Sequence, residues 1–126
     1  MLYHRERYQV LNTIKLSGNN AIASIQTYKG DPMGGPSVLD LNVQVNFVQA
    51  NYSNTDIADP SISSGLMKIL VPSIDGDGKE INLESLVMDK SAKVVFSTGK
   101  VLGIKSPKLT MPDGVTPIVA RLFLGG

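Results

Sequence analysis

The stretch that most constrains this chain is residues 39–49, where Leu39, Leu41, Val43, Val45 and Phe47 alternate with Asp40, Asn42, Gln44 and Asn46. A period of two sends successive side chains to opposite faces of an extended strand, so the pattern predicts one apolar face and one wet one. Sliding such a strand by one residue would turn every apolar group to water, which fixes its register. The β-branched Val43 and Val45 favour the pleated backbone over a helix. The expectation is a long, half-buried antiparallel strand against which the rest of the chain packs.

Upstream, Tyr3, Arg7, Val10, Leu11 and Ile14 fall along one helical face, and Gly18 can stop the helix. A strand over 8–16 is the competing reading, because Val10, Thr13 and Ile14 are β-branched; the helix is favoured. Residues 21–28 read as a first strand with Ile25 inward. The 30–37 segment has two prolines and three glycines in eight residues, which predicts a turn-rich loop. Residues 51–65 are polar, rich in turn formers and too long for a plain hairpin connection, the kind of loop that is functional or mobile.

Further along, 66–71 is a compact apolar strand interrupted by Lys68, and 73–80 is a Gly-Asp turn. A short helical or irregular segment is expected within 81–90, around Leu83, Leu86 and Val87. Residues 93–98 and 101–105 flank Gly99-Lys100, the natural centre of a tight hairpin. Residues 107–117 read as loop, and 118–124 as a closing strand with Arg121 on its polar side. Short strands at even spacing after one N-terminal helix (or arm, 1–18) predict a single mainly-β domain over 1–126. Its expected form is a small antiparallel β-barrel or sandwich with long inserted loops, 51–65 being the functional one.

Composition narrows the function classes. The 126 residues suffice for one modest core, and no run reaches the roughly 18 apolar residues of a membrane helix. No apolar segment follows the charged N-terminal residues, so no secretory signal is expected. Without cysteine there is no disulfide or thiolate metal site, and a net charge of +1 advertises no nucleic-acid field. His4, near the terminus, lacks a partner that would make it a catalytic base. Asp75-Gly76-Asp77-Gly78 opens like a calcium loop, but positions six and twelve hold Glu80 and Leu86 where glycine and glutamate are required. Asp56 and Asp59 could pair as acid and base, yet no second group converges on them, and Asp59 before Pro60 reads as a turn starter. No nucleophile elbow, phosphate loop or metal cluster is present in the sequence, so neither an enzyme nor a cofactor is expected. Lys90, Lys93, Lys100, Lys105 and Lys108 leave an alternative: an oligonucleotide-binding barrel, with Phe96 the one aromatic among them.

The segment Asp56-Ile-Ala-Asp-Pro-Ser-Ile-Ser-Ser-Gly65 followed by Met67-Lys-Ile-Leu-Val-Pro72 resembles the centre of tailed-phage head-closure, or stopper, proteins. So do Asp89-Lys90, the hairpin tip Thr98-Gly99-Lys100, the turn Lys108-Leu-Thr-Met-Pro-Asp-Gly114 with its final strand, and Ser24-Ile-Gln-Thr-Tyr-Lys29 before a Gly-Asp-Pro loop. The resemblance covers about residues 20–124 as a pattern of spacing. This chain departs from it at Gly65-Leu66-Met67, where the family carries Gly-Asp, so a partner contact made by that acid is missing. The resemblance implies a non-enzymatic virion protein at the head–tail junction, assembled in the host bacterial cytoplasm. It would form a ring of six or twelve copies between the portal or adaptor protein and the tail tube or tail terminator. Packaged DNA would pass the lumen without sequence-specific binding, and no membrane is involved. A tail-completion protein of the same virion is the neighbouring reading. The contacts expected with partners or lumen are Asn54, Asp56, Asp59, Ser61, Ser63, Met33, Lys93 and Lys100, with 51–65 and 30–37 ordering on docking.

Overall fold

The computed structural model describes residues 2–31 and 33–126; Met1 and Pro32, one of the two prolines of the 30–37 loop, lie outside them. Helix α1 (His4–Ser17) is followed by β1 (Ile22–Lys29), β2 (Val38–Asn46), β3 (Val48–Ala50) and the short helix α2 (Asn54–Ala58). Then come β4 (Met67–Pro72), α3 (Leu83–Val87), β5 (Lys93–Phe96), β6 (Val101–Thr110) and β7 (Val119–Gly125). The helical reading of the N-terminal segment holds: Arg7, Leu11 and Ile14 recur on the buried side of α1. The helix ends where the Gly18 N–H bonds the Ile14 carbonyl, and Asn19 and Asn20 in left-handed conformation turn the chain into β1. A side chain at Gly18 would stand 2.5 Å from the Phe47 carbonyl oxygen, so the close crossing there requires glycine.

All seven strands form one sheet, ordered β2-β1-β5-β6-β7-β4-β3, with every neighbour antiparallel. The two edge strands, β2 and β3, are consecutive in the chain with only Phe47 between them. The sheet must therefore roll until its edges meet at that residue. Phe47 seals the seam, its ring edge-on to Phe96 at 5.3 Å and its N–H bonded to the Ala21 carbonyl. Among the described residues no ladder joins β2 to β4, so the expected barrel is corrected to an open, rolled sheet. The expected class, mainly antiparallel β with an N-terminal helix, is what the chain adopts.

Inside the roll lie Ile25, Val45, Ile69, Val71, Val94, Leu122 and Leu124, joined by Leu83, Leu86 and Val87 of α3. Alternation along β4 and β7 sends Lys68, Leu70, Arg121 and Phe123 to the other face, in the register Lys68↔Phe123 and Leu70↔Arg121. That outer face is also covered. Leu11 and Ile14 of α1 are buried, and Tyr52 packs edge-on to the fully buried Phe123 at 5.3 Å.

The strand expected over 39–49 departs from its pattern in three ways. It breaks at Phe47, it lies at the sheet edge, and a bulge interrupts its pairing with β1. Thr27 faces Leu41 and Tyr28 faces Leu39, so Asp40 is left over. The extra residue reverses the faces beyond it, and Val38, Leu39 and Leu41 remain exposed at 59%, 51% and 41%. β6 is longer than expected, running through Pro107 to Thr110. Its β5 neighbour reaches only to Gly103, so the proline sits where one side of β6 has no strand beside it.

Replacing the fully buried Leu122 by alanine should cost about 2–5 kcal/mol, whereas Leu39→Ala should change stability by less than ~0.5 kcal/mol. Urea unfolding of the two variants checks both. Equal effects would mean that the edge strand is as buried as the centre.

Candidate functional site

The most elaborate polar arrangement is built on the 51–65 segment. Ser53 and Asp56 form a reciprocal capping box for α2: Asp56 N–H donates to Ser53 Oγ at 3.2 Å, and Ser53 N–H donates to Asp56 Oδ2 at 2.8 Å. A five-residue helix cannot hold itself in water, and Asp56 ties this one to the sheet. Its Oδ2 also accepts from Lys68 Nζ at 2.5 Å, and its Oδ1 accepts from Arg121 Nη1 at 2.6 Å. Lys68 further donates to the Asn51 carbonyl and lies 6.0 Å above the Phe123 ring. The two cations are diagonal neighbours on the outer face of β4 and β7, and the carboxylate drops between them.

Asp56 is wholly buried and Lys68 nearly so. Burial by itself favours the neutral acid and pushes the pKa up. The bonds from Lys68 and Ser53 outweigh it and bring the pKa from the ordinary 3.8 to about 2. One carboxylate against two cations leaves a charge of +1, carried outward by Arg121, whose side chain is 31% exposed.

The tip of the same segment is also fastened. Asp59 accepts from Ser61 N–H and Oγ, which hold its carboxyl below the usual range. Lys108 Nζ reaches Ser61 Oγ at 2.8 Å and Asp59 at 3.5 Å, and Ser106 Oγ donates to the Ser61 carbonyl. The Ser63 carbonyl accepts from the Tyr52 hydroxyl. Asn54, the first residue of α2, is exposed.

These placements correct two expectations. Asp56 is an internal anchor, inaccessible to any partner. The 51–65 segment is fastened to β4, β6 and β7 through Asp56 and Ser61 in the single chain, against the expectation that it takes up its place only on docking. The structure thus gathers Asn54, Asp56, Asp59, Ser61 and Ser63 in one segment and leaves Met33, Lys93 and Lys100 apart from it. Met33 projects from the 30–37 loop at 91% exposure. Lys93 lies 5.9 Å over the Tyr28 ring, and Lys100 is exposed at the other end of the β5–β6 hairpin. The lysines therefore form no single strip. Lys68, Arg121 and Ser53 were not expected as site residues; the signal for the two cations is a charge set within an otherwise apolar strand.

No protein-family model matches this chain, and no curated protein matches it. Among the described residues, no helix is long and apolar enough to cross a membrane.

Asp56→Ala should lower stability by about 3–5 kcal/mol, since it strands two cations over a buried surface. The native carboxylate has the depressed pKa, so its contribution is complete above pH 3.8 and is lost as the pH falls toward 2. Denaturant unfolding from pH 6 to pH 2 should show this loss in the wild type. The slope should be shallower in Asp56→Asn, and an unchanged slope would sink the assignment.

Proposed function

We propose that this chain is a structural subunit of a tailed-phage neck: a head-closure protein forming a ring between portal or adaptor and tail. The observation that carries the reading is where the stretches resembling that family meet. The acidic turn supplies Asp56, the Lys-Ile-Leu-Val strand supplies Lys68, the closing strand supplies Arg121, and all three converge on one buried ion cluster. The pattern of spacing thus corresponds to a single structural device, rather than to unrelated surface turns.

Two further features suit a subunit of a ring. An edge strand that carries exposed Val38, Leu39 and Leu41 is a liability for an isolated protein and an asset for one whose neighbours cover it. Met33, exposed in the segment that leads into that edge strand, is available to a neighbour or the lumen. A net charge of +1 lets DNA pass without a strong grip on its phosphates. The oligonucleotide-binding reading has less support, because Lys108 is engaged by Asp59 and Ser61 and Lys93 by Tyr28.

Electron microscopy of particles made without this gene tests the proposal. Filled heads that leak DNA and lack tails are expected. Closed, filled heads without tails would move the ring to the tail-completion position. Normal tailed particles would end the neck reading.

A further inference from the structure

Where the end of α1, the end of β2 and the 73–80 turn come together lies an open pocket of about 620 Å³, lined among others by Lys15, Asn46, Asp75 and Asp77. Asn46, the last residue of β2, is 4% exposed, and its carboxamide makes no hydrogen bond to any described residue. Its Oδ1 lies against the turn between the two aspartates: a Cβ at Gly76 would stand 3.3 Å from it. Leaving a buried polar group without a partner costs free energy, so this carboxamide marks a position for a ligand to fill. Asp75 Oδ1 accepts from the N–H groups of Asp77 and Lys79, each at 2.9 Å. Asp75 Oδ2 and both carboxylate oxygens of Asp77 have neither hydrogen bond nor ion pair among the described residues. Lys15 Nζ donates to the Gly76 carbonyl at 3.2 Å and is the one cationic side chain among the described residues that line the pocket.

We infer that this pocket is a calcium site, with Asn46 Oδ1 and the Asp75 and Asp77 carboxylates as its protein ligands. Calcium takes carboxylate, carboxamide and water oxygens together, in a flexible geometry. Among the described residues no group of three histidine, cysteine, aspartate or glutamate side chains could hold a metal ion. The two carboxylates therefore need a neutral third oxygen, and β2 supplies it. The turn lacks the glycine and glutamate that a self-sufficient calcium loop carries; its third ligand comes from across the fold instead. Water completes the shell from the open side of the pocket. Magnesium demands near-ideal octahedral ligands and fits less well. Lys15 offsets one of the two carboxylates, which holds the dissociation constant near ~1 mM, the weak end of calcium sites. The bound ion ties the end of β2, next to the Phe47 seam, to the 73–80 turn. The site is independent of the neck reading.

Tyr8 sets its hydroxyl against Gly78 of the same turn, so its ring is placed to sensitise terbium, a luminescent stand-in for calcium. Terbium added to the full chain should emit on excitation of tyrosine, and calcium should displace it with a half-effect near ~1 mM. Asn46→Asp keeps the shape of the side chain and adds a charge, and should tighten calcium about tenfold. Asp77→Asn, at an exposed turn position, should weaken it about tenfold. Lys15→Gln removes the competing charge and should tighten it about threefold. Calcium should also raise the thermal midpoint of Asn46→Asp more than that of the wild type, a readout that needs no terbium. Emission that calcium cannot displace, or that Asp77→Asn leaves unchanged, overturns the site. An Asn46→Asp chain that folds and binds calcium no tighter than the wild type overturns it as well.

Discussion

A single residue, Phe47, joins the two edges of a seven-stranded sheet, and the rest of the architecture follows from that constraint. Strands adjacent in the chain cannot lie at opposite edges of a flat sheet, so the sheet must roll. Rolling creates an interior for Ile25, Val45, Ile69 and Leu122 and at once exposes a convex outer face on β4 and β7. The crossing of α1 over the seam is close enough that Gly18 must be glycine. The helix and the 51–65 segment then divide the outer face, the helix through Leu11 and Ile14 and the segment through Tyr52 and Asp56.

The ion cluster under the 51–65 segment is better understood as a positioning device than as a store of stability. Burying Asp56 and Lys68 costs much of what their attraction returns, and an apolar substitute of the same shape could serve as well energetically. An apolar contact, however, tolerates sliding. A carboxylate that must meet Lys68, Arg121 and the Ser53 N–H together has one place to go. The same oxygens that cap α2 also dock it, so the local helix and its tertiary seat form together.

The sequence showed elements well and their arrangement poorly. β1, α3, the β5–β6 hairpin and the closing strand were legible because periodicity and turn residues act over a few positions. The helix over the first residues was legible for the same reason, once Arg7 was counted with Leu11 and Ile14. The alternation at 39–49 identified a strand but could not show that it lies at an edge, because edge and centre differ in neighbours rather than in local pattern. Asp40 looked like an ordinary outward residue, and its bulge depends on the pairing partner Thr27-Tyr28. Pro107 suggested loop, since a strand with a partner on both sides would exclude it; β5 stops short of it. Lys68 and Arg121 were visible as charges in apolar strands. Their meeting with Asp56, twelve and sixty-five positions away, depends on the sheet order, which no local pattern encodes.

The Asp40 bulge bears on whether the free edge of the sheet can template backbone pairing. A foreign strand adding to the free edge of β2 would match its faces over Leu41 and Val43 and then find them reversed at Leu39. Cross-β stacking needs a long run in uniform register, and this edge offers only a short one. The apolar residues at that end can therefore stay exposed without seeding fibrils. Growth by backbone pairing at this edge is self-limiting.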